Sequence, residues 1–150
     1  MAAKDRDISL ECQEENGRLK AEVLALQEEM KGLHERCQFY ESVLDAIPSP
    51  LSVTDTAMKW TFVNKAVEDM KGIRREDIIG HPCSEWKADI CGTDKCGVEG
   101  LRKGRCETEF KEGDHFFKVD AVYLKDQDGK LRGHLEVVQR ESGQPCPFTV

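Results

Sequence analysis

The chain predicts an α+β fold: one five-stranded antiparallel sheet with helices on one face, preceded by a long N-terminal coiled-coil helix. Three observations carry that prediction. Apolar residues recur at heptad spacing as far as Leu44, the pattern breaks at Pro48-Ser-Pro50, and beyond the break apolar residues alternate in five short segments separated by turn signals. With 150 residues, 39% of them hydrophobic, the chain can fill one modest core but not two. The division is therefore a helix over 1–46, a domain over 47–140 and an extended tail over 141–150, with Cys146 between two prolines of the tail.

Residues 1–46 hold 11 acidic and 6 basic side chains and no proline. Leu19, Leu26, Leu33 and Tyr40 fall at the d positions of a heptad repeat, and Asn16, Val23, Met30, Cys37 and Leu44 at the a positions. The stripe is narrow, because Lys20, Gln27, His34 and Glu41 occupy e and Glu15, Glu22, Glu29 and Arg36 occupy g. In a parallel pair each g residue meets the e residue five positions later on the partner, so Glu15 attracts Lys20 and Arg36 attracts Glu41. Asn16 at an a position sets register and favours two strands. Gly17 and Gly32 on the outer face each cost about 1 kcal/mol relative to alanine, which leaves the isolated helix marginal. The same amphipathic pattern would serve a helix packed on its own domain; the narrow seam and the charge pairing point to a parallel homodimer.

From Leu51 the periodicity changes to two. Leu51-Ser-Val53-Thr runs into the turn Asp55-Thr-Ala, and Lys59-Trp60-Thr-Phe62-Val-Asn64 returns from it, a hairpin. Lys65 to Lys71 suits one or two helical turns ended by Gly72, and Arg74 to Ile79 a further short helix closed by Gly80 and Pro82. A cysteine-bearing, turn-rich middle follows. Three more strands come next, with Cys106, Thr108 and Phe110 on one face of the first and Phe117, Val119, Ala121 and Tyr123 on one face of the second. Leu131, Leu135 and Val137 share a face of the third, after the turn Asp126-Gln-Asp-Gly129.

Composition excludes several function classes. Lys plus Arg is 22 against 29 for Asp plus Glu, a net charge of −7, and phosphate recognition wants a concentrated basic face, so nucleic acid is not the expected partner. No run approaches the ~18 apolar residues of a membrane-spanning helix, and the first residues lack the apolar core of a secretion signal. The expectation is a cytoplasmic chain. No Gly-rich phosphate loop, His-Glu-x-x-His or nucleophile motif occurs, and His34, His81, His115 and His134 are scattered, so no catalytic role is expected.

Four phrases in order resemble a PAS sensor domain. They are Leu44-Asp-Ala-Ile-Pro-Ser-Pro-Leu51-Ser-Val-Thr-Asp55, Trp60-Thr-Phe-Val-Asn64-Lys-Ala66, Gly72-Ile-Arg-Arg-Glu-Asp-Ile-Ile-Gly80-His-Pro82 and Asp128-Gly129-x-x-x-Gly133. The third is similar to the Gly-x-x-x-Glu-(Asp/Glu)-x-(Ile/Leu)-Gly-x-Pro phrase of many bacterial PAS domains. The resemblance spans about residues 45–140 and implies a five-stranded sheet cupping a small cavity, with a sensing or dimerising role. Its expected lining is Val53, Phe62, Phe117, Val119, Tyr123 and Leu135. An entering N-terminal helix is likewise typical of the family, where it passes signals between modules.

A PAS domain does not need cysteines, yet this chain has seven, four of them within 24 residues as Cys83-x7-Cys91-x4-Cys96-x9-Cys106. In a reducing compartment such a cluster points to metal or redox chemistry. Thiolates bind zinc or iron–sulfur clusters, and a cation removes the mutual repulsion that otherwise opposes crowding them. Cys106 shares a face with Thr108 and Phe110 and is the expected fourth ligand, with His81 as its substitute. The spacing is similar to that of cysteine-bearing PAS modules in anaerobe sensor kinases and chemoreceptors. It departs from the Cys-x2-Cys pairs of zinc fingers and from ferredoxin runs. The absence of Cys-x-x-Cys-His disfavours covalent haem, and the absence of Asn-Cys-Arg disfavours light-sensing flavin. Three readings stay open: a metal or iron–sulfur site, a thiol–disulfide switch, or buried thiols around an ordinary PAS pocket. The expected role is a dimeric sensor or relay, its output in a downstream signalling protein or in a missing part of the chain. A ligand-free assembly module is the alternative.

Overall fold

The computed structural model describes residues 2–141, and the expected tail with Cys146 lies outside the described residues, apart from Glu141. The chain divides into two units, Met1–Ser42 and Val43–Val150. The first is one helix, α1 (Ala2–Asp45), whose last residues belong to the second unit. Forty-four residues make it about 66 Å long at 1.5 Å per residue. Along it Leu19, Val23, Leu26, Met30, Leu33 and Tyr40 are all exposed, between 45% and 68%. Asn16 and Cys37 are exposed too, and Leu44 alone of the expected seam is half-buried. No helix among the described residues is long and apolar enough to cross a membrane.

The second unit is a five-stranded antiparallel sheet in the order β2-β1-β5-β4-β3. The strands are β1 (Leu51–Asp55), β2 (Trp60–Val63), β3 (Glu107–Glu112), β4 (His115–Lys125) and β5 (Leu131–Glu141). Between β2 and β3 lie α2 (Lys65–Lys71), α3 (Arg75–Ile78), a 3-10 turn (Cys83–Trp86) and α4 (Gly97–Arg102). The expected five strands and the first two short helices are all present; α4 was not expected. Its sequence hides it, because Gly97 and Gly100 are poor helix formers. Both are required by close packing on the sheet. A Cβ on Gly97 would collide with the Glu136 carboxylate and the Val119 side chain, and one on Gly100 with the methyl of Thr108.

The core under α2 and α3 is Trp60, Val63, Val67 and Ile78, with Cys83 and Trp86 packed against it. Asn64 sets the geometry of this region. Fully buried, it caps α2 through its side chain and accepts from Leu51 N–H at 3.0 Å. Its amide nitrogen donates to the carbonyls of Leu44, Ile47 and Ser49 at 3.0–3.2 Å, which holds the turn leaving α1. Asp45 at the end of α1 accepts from Arg75 Nη2 at 2.7 Å to both oxygens and from Lys65 N–H at 2.8 Å. Arg75 also reaches Glu68, and the paired carboxylates outweigh its desolvation, so its pKa is raised while that of Glu68 is lowered by the Arg75 backbone N–H.

Candidate functional site

A cavity of about 130 Å³ opens between the sheet and the segments that cross it. Val67 and Met70 of α2 and Cys83 and Trp86 of the 3-10 turn form one wall, with Ala88, Ile90, Cys91 and Cys96 from the turns before α4. The sheet supplies Pro50 and Ser52 before and on β1, Phe110 on β3, Phe117 and Val119 on β4, and Glu136 and Val138 on β5. Phe110 and Phe117 stack across β3 and β4 with centroids 5.1 Å apart, giving the cavity an aromatic end.

Three of the four expected thiols thus meet in one cavity and the fourth does not. Cys106 is exposed and precedes β3; its carbonyl accepts the Ala121 N–H at 2.8 Å, and its side chain is absent from the lining. The strand phase placing it with Thr108 and Phe110 begins one residue too late for it, at Glu107. His81 is no substitute in this arrangement: its Nδ1 stands 3.0 Å from Glu85 Oε2 in an exposed pair. Among the described residues, no three His, Cys, Asp or Glu side chains are gathered tightly enough to hold one ion. A metal would therefore have to draw the cysteine-bearing turns inward.

Of the six expected lining residues, Phe117 and Val119 line the cavity. Val53, Phe62 and Leu135 do not, and register explains why. Val53 is the cross-strand partner of both Phe62 and Leu135, whereas the cavity row runs Val63, Ser52, Glu136, Ala121. Adjacent rows point to opposite faces of a pleated sheet. Leu51 shares the outer row with Val137 yet is only 3% exposed, so that face is apolar as well and alternation could not reveal which face bounds the cavity. Tyr123 lies on the cavity face but beyond the cavity, 40% exposed, its ring 5.5 Å from that of buried His134.

The residue missed by sequence reasoning is Glu136. Flanked by Leu135 and Val137, it reads as the solvent-facing phase of β5; its partners Ser52 and Ala121 put it inside. Burial raises its carboxyl pKa, offset in part by the Val98 backbone N–H that bonds it. Burial likewise pushes the Cys83 thiol up to about 11, with further contributions from Glu136, Cys96 and Cys91 in that order. Glu136, Cys96 and Cys91 line the same cavity as Cys83. Among the described residues, no Lys, Arg or His side chain lines the cavity to balance them.

A family model described as the PAS fold matches residues 44–140. The second unit is similar to solved PAS domains at low identity. The PAS domain of Bordetella pertussis BvgS superposes with a TM-score of 0.53 at 15% identity over 73% of this chain and 89% of that one. The PAS domain of an HTR-like protein from Haloarcula marismortui gives 0.53 at 17% identity, over 76% of this chain and 98% of that one. A sensory box sensor histidine kinase from Vibrio cholerae gives 0.53 at 13% identity, over 77% and 99%. Among curated proteins no match is found.

Proposed function

The chain belongs to the PAS family, whose members are generally sensory and non-catalytic, and from that premise we propose that it reads a metal centre bound by Cys83, Cys91 and Cys96. A zinc ion or an iron–sulfur cluster suits these donors. The observation that carries the reading is the convergence of three thiols on one small apolar cavity that no cationic side chain lines. An anion has no partner there, and a soft or borderline cation has three.

The state of Cys83 bears on the competing thiol–disulfide switch. The thiolate is the nucleophile in disulfide exchange and in oxidation, and a thiol pushed up to about 11 is almost wholly protonated at neutral pH. A bound cation reverses that cost: each ligating thiol releases its proton to solvent and the dication offsets the thiolate charge. The same arrangement that makes Cys83 a poor redox nucleophile makes it a responsive metal ligand.

The relay is a dimer through α1. Its exposed a/d stripe needs a second apolar stripe to leave water, and a second copy in parallel supplies one with matched e/g charges. The connection to the cavity is short. Val67 and Met70 of α2 line it, Asn64 caps α2, and Asn64 holds the carbonyls where α1 ends. A centre that draws the turns inward shifts α2 and so biases the end of α1, the two-arrangement device that a relay requires. The output belongs to a downstream signalling protein or to a further part of a longer chain.

Anaerobic purification followed by elemental analysis and an ultraviolet–visible spectrum tests the reading. Stoichiometric zinc or iron is expected, lost in Cys83→Ser, Cys91→Ser and Cys96→Ser and retained in Cys12→Ser and Cys37→Ser. A thousandfold excess over the dissociation constant stabilises the native state by ~4 kcal/mol, so a chelator should lower the melting temperature of the second unit. Metal-free protein whose melting ignores both chelator and added metal would overturn it.

A further inference from the structure

We propose that residues 84–96 form a lid over the cavity, latched towards one end by Lys71 and towards the other by Arg105, and that release of these latches opens the cavity to exchange its occupant. The lid goes beyond the metal reading and does not rest on it, because it governs access whatever the occupant.

The segment covers the cavity without being built into the sheet. Trp86, Ala88, Ile90, Cys91 and Cys96 line the cavity, yet all are only half-buried, and the other residues of 84–96 are exposed. Gly97, Val98 and Gly100, just beyond, are fully packed. Backbone bonding within the segment is local. The N–H groups of Glu85, Lys87, Cys91, Thr93 and Cys96 each donate three residues back, to the carbonyls of Pro82, Ser84, Ala88, Ile90 and Thr93. Backbone ties to other elements stand at its margins, where Cys83 N–H donates to the Met58 carbonyl at 2.9 Å and Gly100 N–H to that of Cys96 at 2.8 Å. A segment with little buried apolar surface and only local hydrogen bonds belongs to the part of a domain that opens most readily.

Two cationic side chains bridge that gap. Lys71, the last residue of α2, donates from Nζ to the Trp86 carbonyl at 2.8 Å and lies 4.6 Å from the centre of the Trp86 ring. Arg105 is fixed behind α4 by its own N–H, which donates to the Gly100 carbonyl at 2.9 Å, and its Nη2 donates to the Asp94 carbonyl at 2.6 Å. A charged donor on a carbonyl makes a stronger bond than a neutral one, and both of these are exposed, so water can replace them. Between the two latches Lys87 holds φ at 55°, a left-handed conformation unfavourable for a side chain with a Cβ. Opening lets Lys87 relax, so the closed lid is held against backbone strain by the latches. Lys71 is carried by α2, the helix that Asn64 caps while holding the Leu44 and Ile47 carbonyls, so the latch and the relay share an element.

Hydrogen–deuterium exchange and pulsed iodoacetamide labelling of the full, metal-free chain test the lid. In wild type the amides of 84–96 should exchange at least about tenfold faster than those of β4 and β5. Lys71→Met and Arg105→Met keep an aliphatic stem and lose the donor. Each should speed exchange over 84–96 and labelling of Cys91 and Cys96 by roughly three- to tenfold, and the two together by more, while β4 and β5 keep their wild-type rates. Lys103→Met, which removes an exposed charge outside the lid, should match wild type. Should a latch variant fail to fold, wild-type exchange decides alone. Protection of 84–96 equal to that of β5 in wild type would overturn the lid. So would unchanged rates in both latch variants, or an acceleration spread evenly over the sheet.

Discussion

The two units put the same residue types to opposite uses. On α1 the apolar side chains Leu19, Val23, Leu26, Met30 and Leu33 are about half or more exposed, while in the sheet unit Val63, Val67, Val98 and Val119 are essentially inaccessible. Cysteine follows the same division except at exposed Cys106: Cys12 and Cys37 are exposed on α1, and Cys83, Cys91 and Cys96 are half-buried around a cavity. A helix alone has no interior, so its stripe can be satisfied only by another surface. A sheet crossed by short helices makes its own interior, and there a polar side chain such as Glu136 acquires a meaning that its exposure on a helix would never give it. The contrast separates a helix whose apolar stripe is exposed from a sheet unit whose apolar side chains surround a cavity.

The largest expected effects break this contrast outright. Met30→Lys together with Leu26→Lys buries two charges in the proposed seam, so sedimentation should show the dimer mass halved while the second unit melts as before. Unchanged mass would remove α1 as the assembly element. Within the second unit, Asn64→Ala strips buried partners from Leu51 N–H and from the carbonyls that end α1, and at 1–3 kcal/mol for each orphaned group it should cost about 3 kcal/mol or more in urea unfolding. A cost below about 1 kcal/mol would mean that the turn leaving α1 is held by something else.

Thiol chemistry sharpens the comparison at intermediate scale. With Cys83 pushed up to about 11 from an ordinary 9.0, its thiolate fraction falls about a hundredfold. Iodoacetamide should modify Cys12, Cys37 and Cys106 of the metal-free protein well before Cys83, read by peptide mass mapping. In a parallel dimer Cys37 faces its own copy, so mild oxidation should join the two chains in wild type and fail to do so in Cys37→Ser.

The smallest effect concerns acid. Burial lowers the pKa of His134, whose Nδ1 lies 3.3 Å from Thr54 Oγ1, so folding favours the neutral ring. The unfolded chain then binds the extra proton first: the contribution is fully present above the ordinary histidine value near 6.5 and is lost as pH falls from there through the folded-state value. Asp55 faces the ring favourably, through its backbone and its charge, and Arg102 unfavourably; the net shift is downward. His134→Gln should flatten the part of the stability profile that falls below the ordinary histidine value near 6.5, leaving the helix unit unaffected.

Local periodicity and turn chemistry carry far in this chain. The long helix α1, the α2 span Lys65–Lys71, the hairpin turn at Asp55 and the five strands are legible residue by residue, because each depends on neighbours a few positions away. The gathering of Cys83, Cys91 and Cys96 is legible for the same reason, since turns keep close what is close in sequence. Tertiary structure decided the rest. Pleating repeats every two residues, and β5 carries apolar side chains on both faces while those of β1, Leu51 and Val53, lie on the face away from the cavity, so only the pairing of Glu136 with Ala121 and Ser52 selects the row that meets the cavity. The glycines of α4 look like helix breakers until the sheet comes within a Cβ of them. Cys106, only ten residues after Cys96 in sequence, is separated from it by that helix, while Glu136, forty residues away, is brought beside it: cross-strand neighbours are chosen by the whole sheet, and no local window contains them.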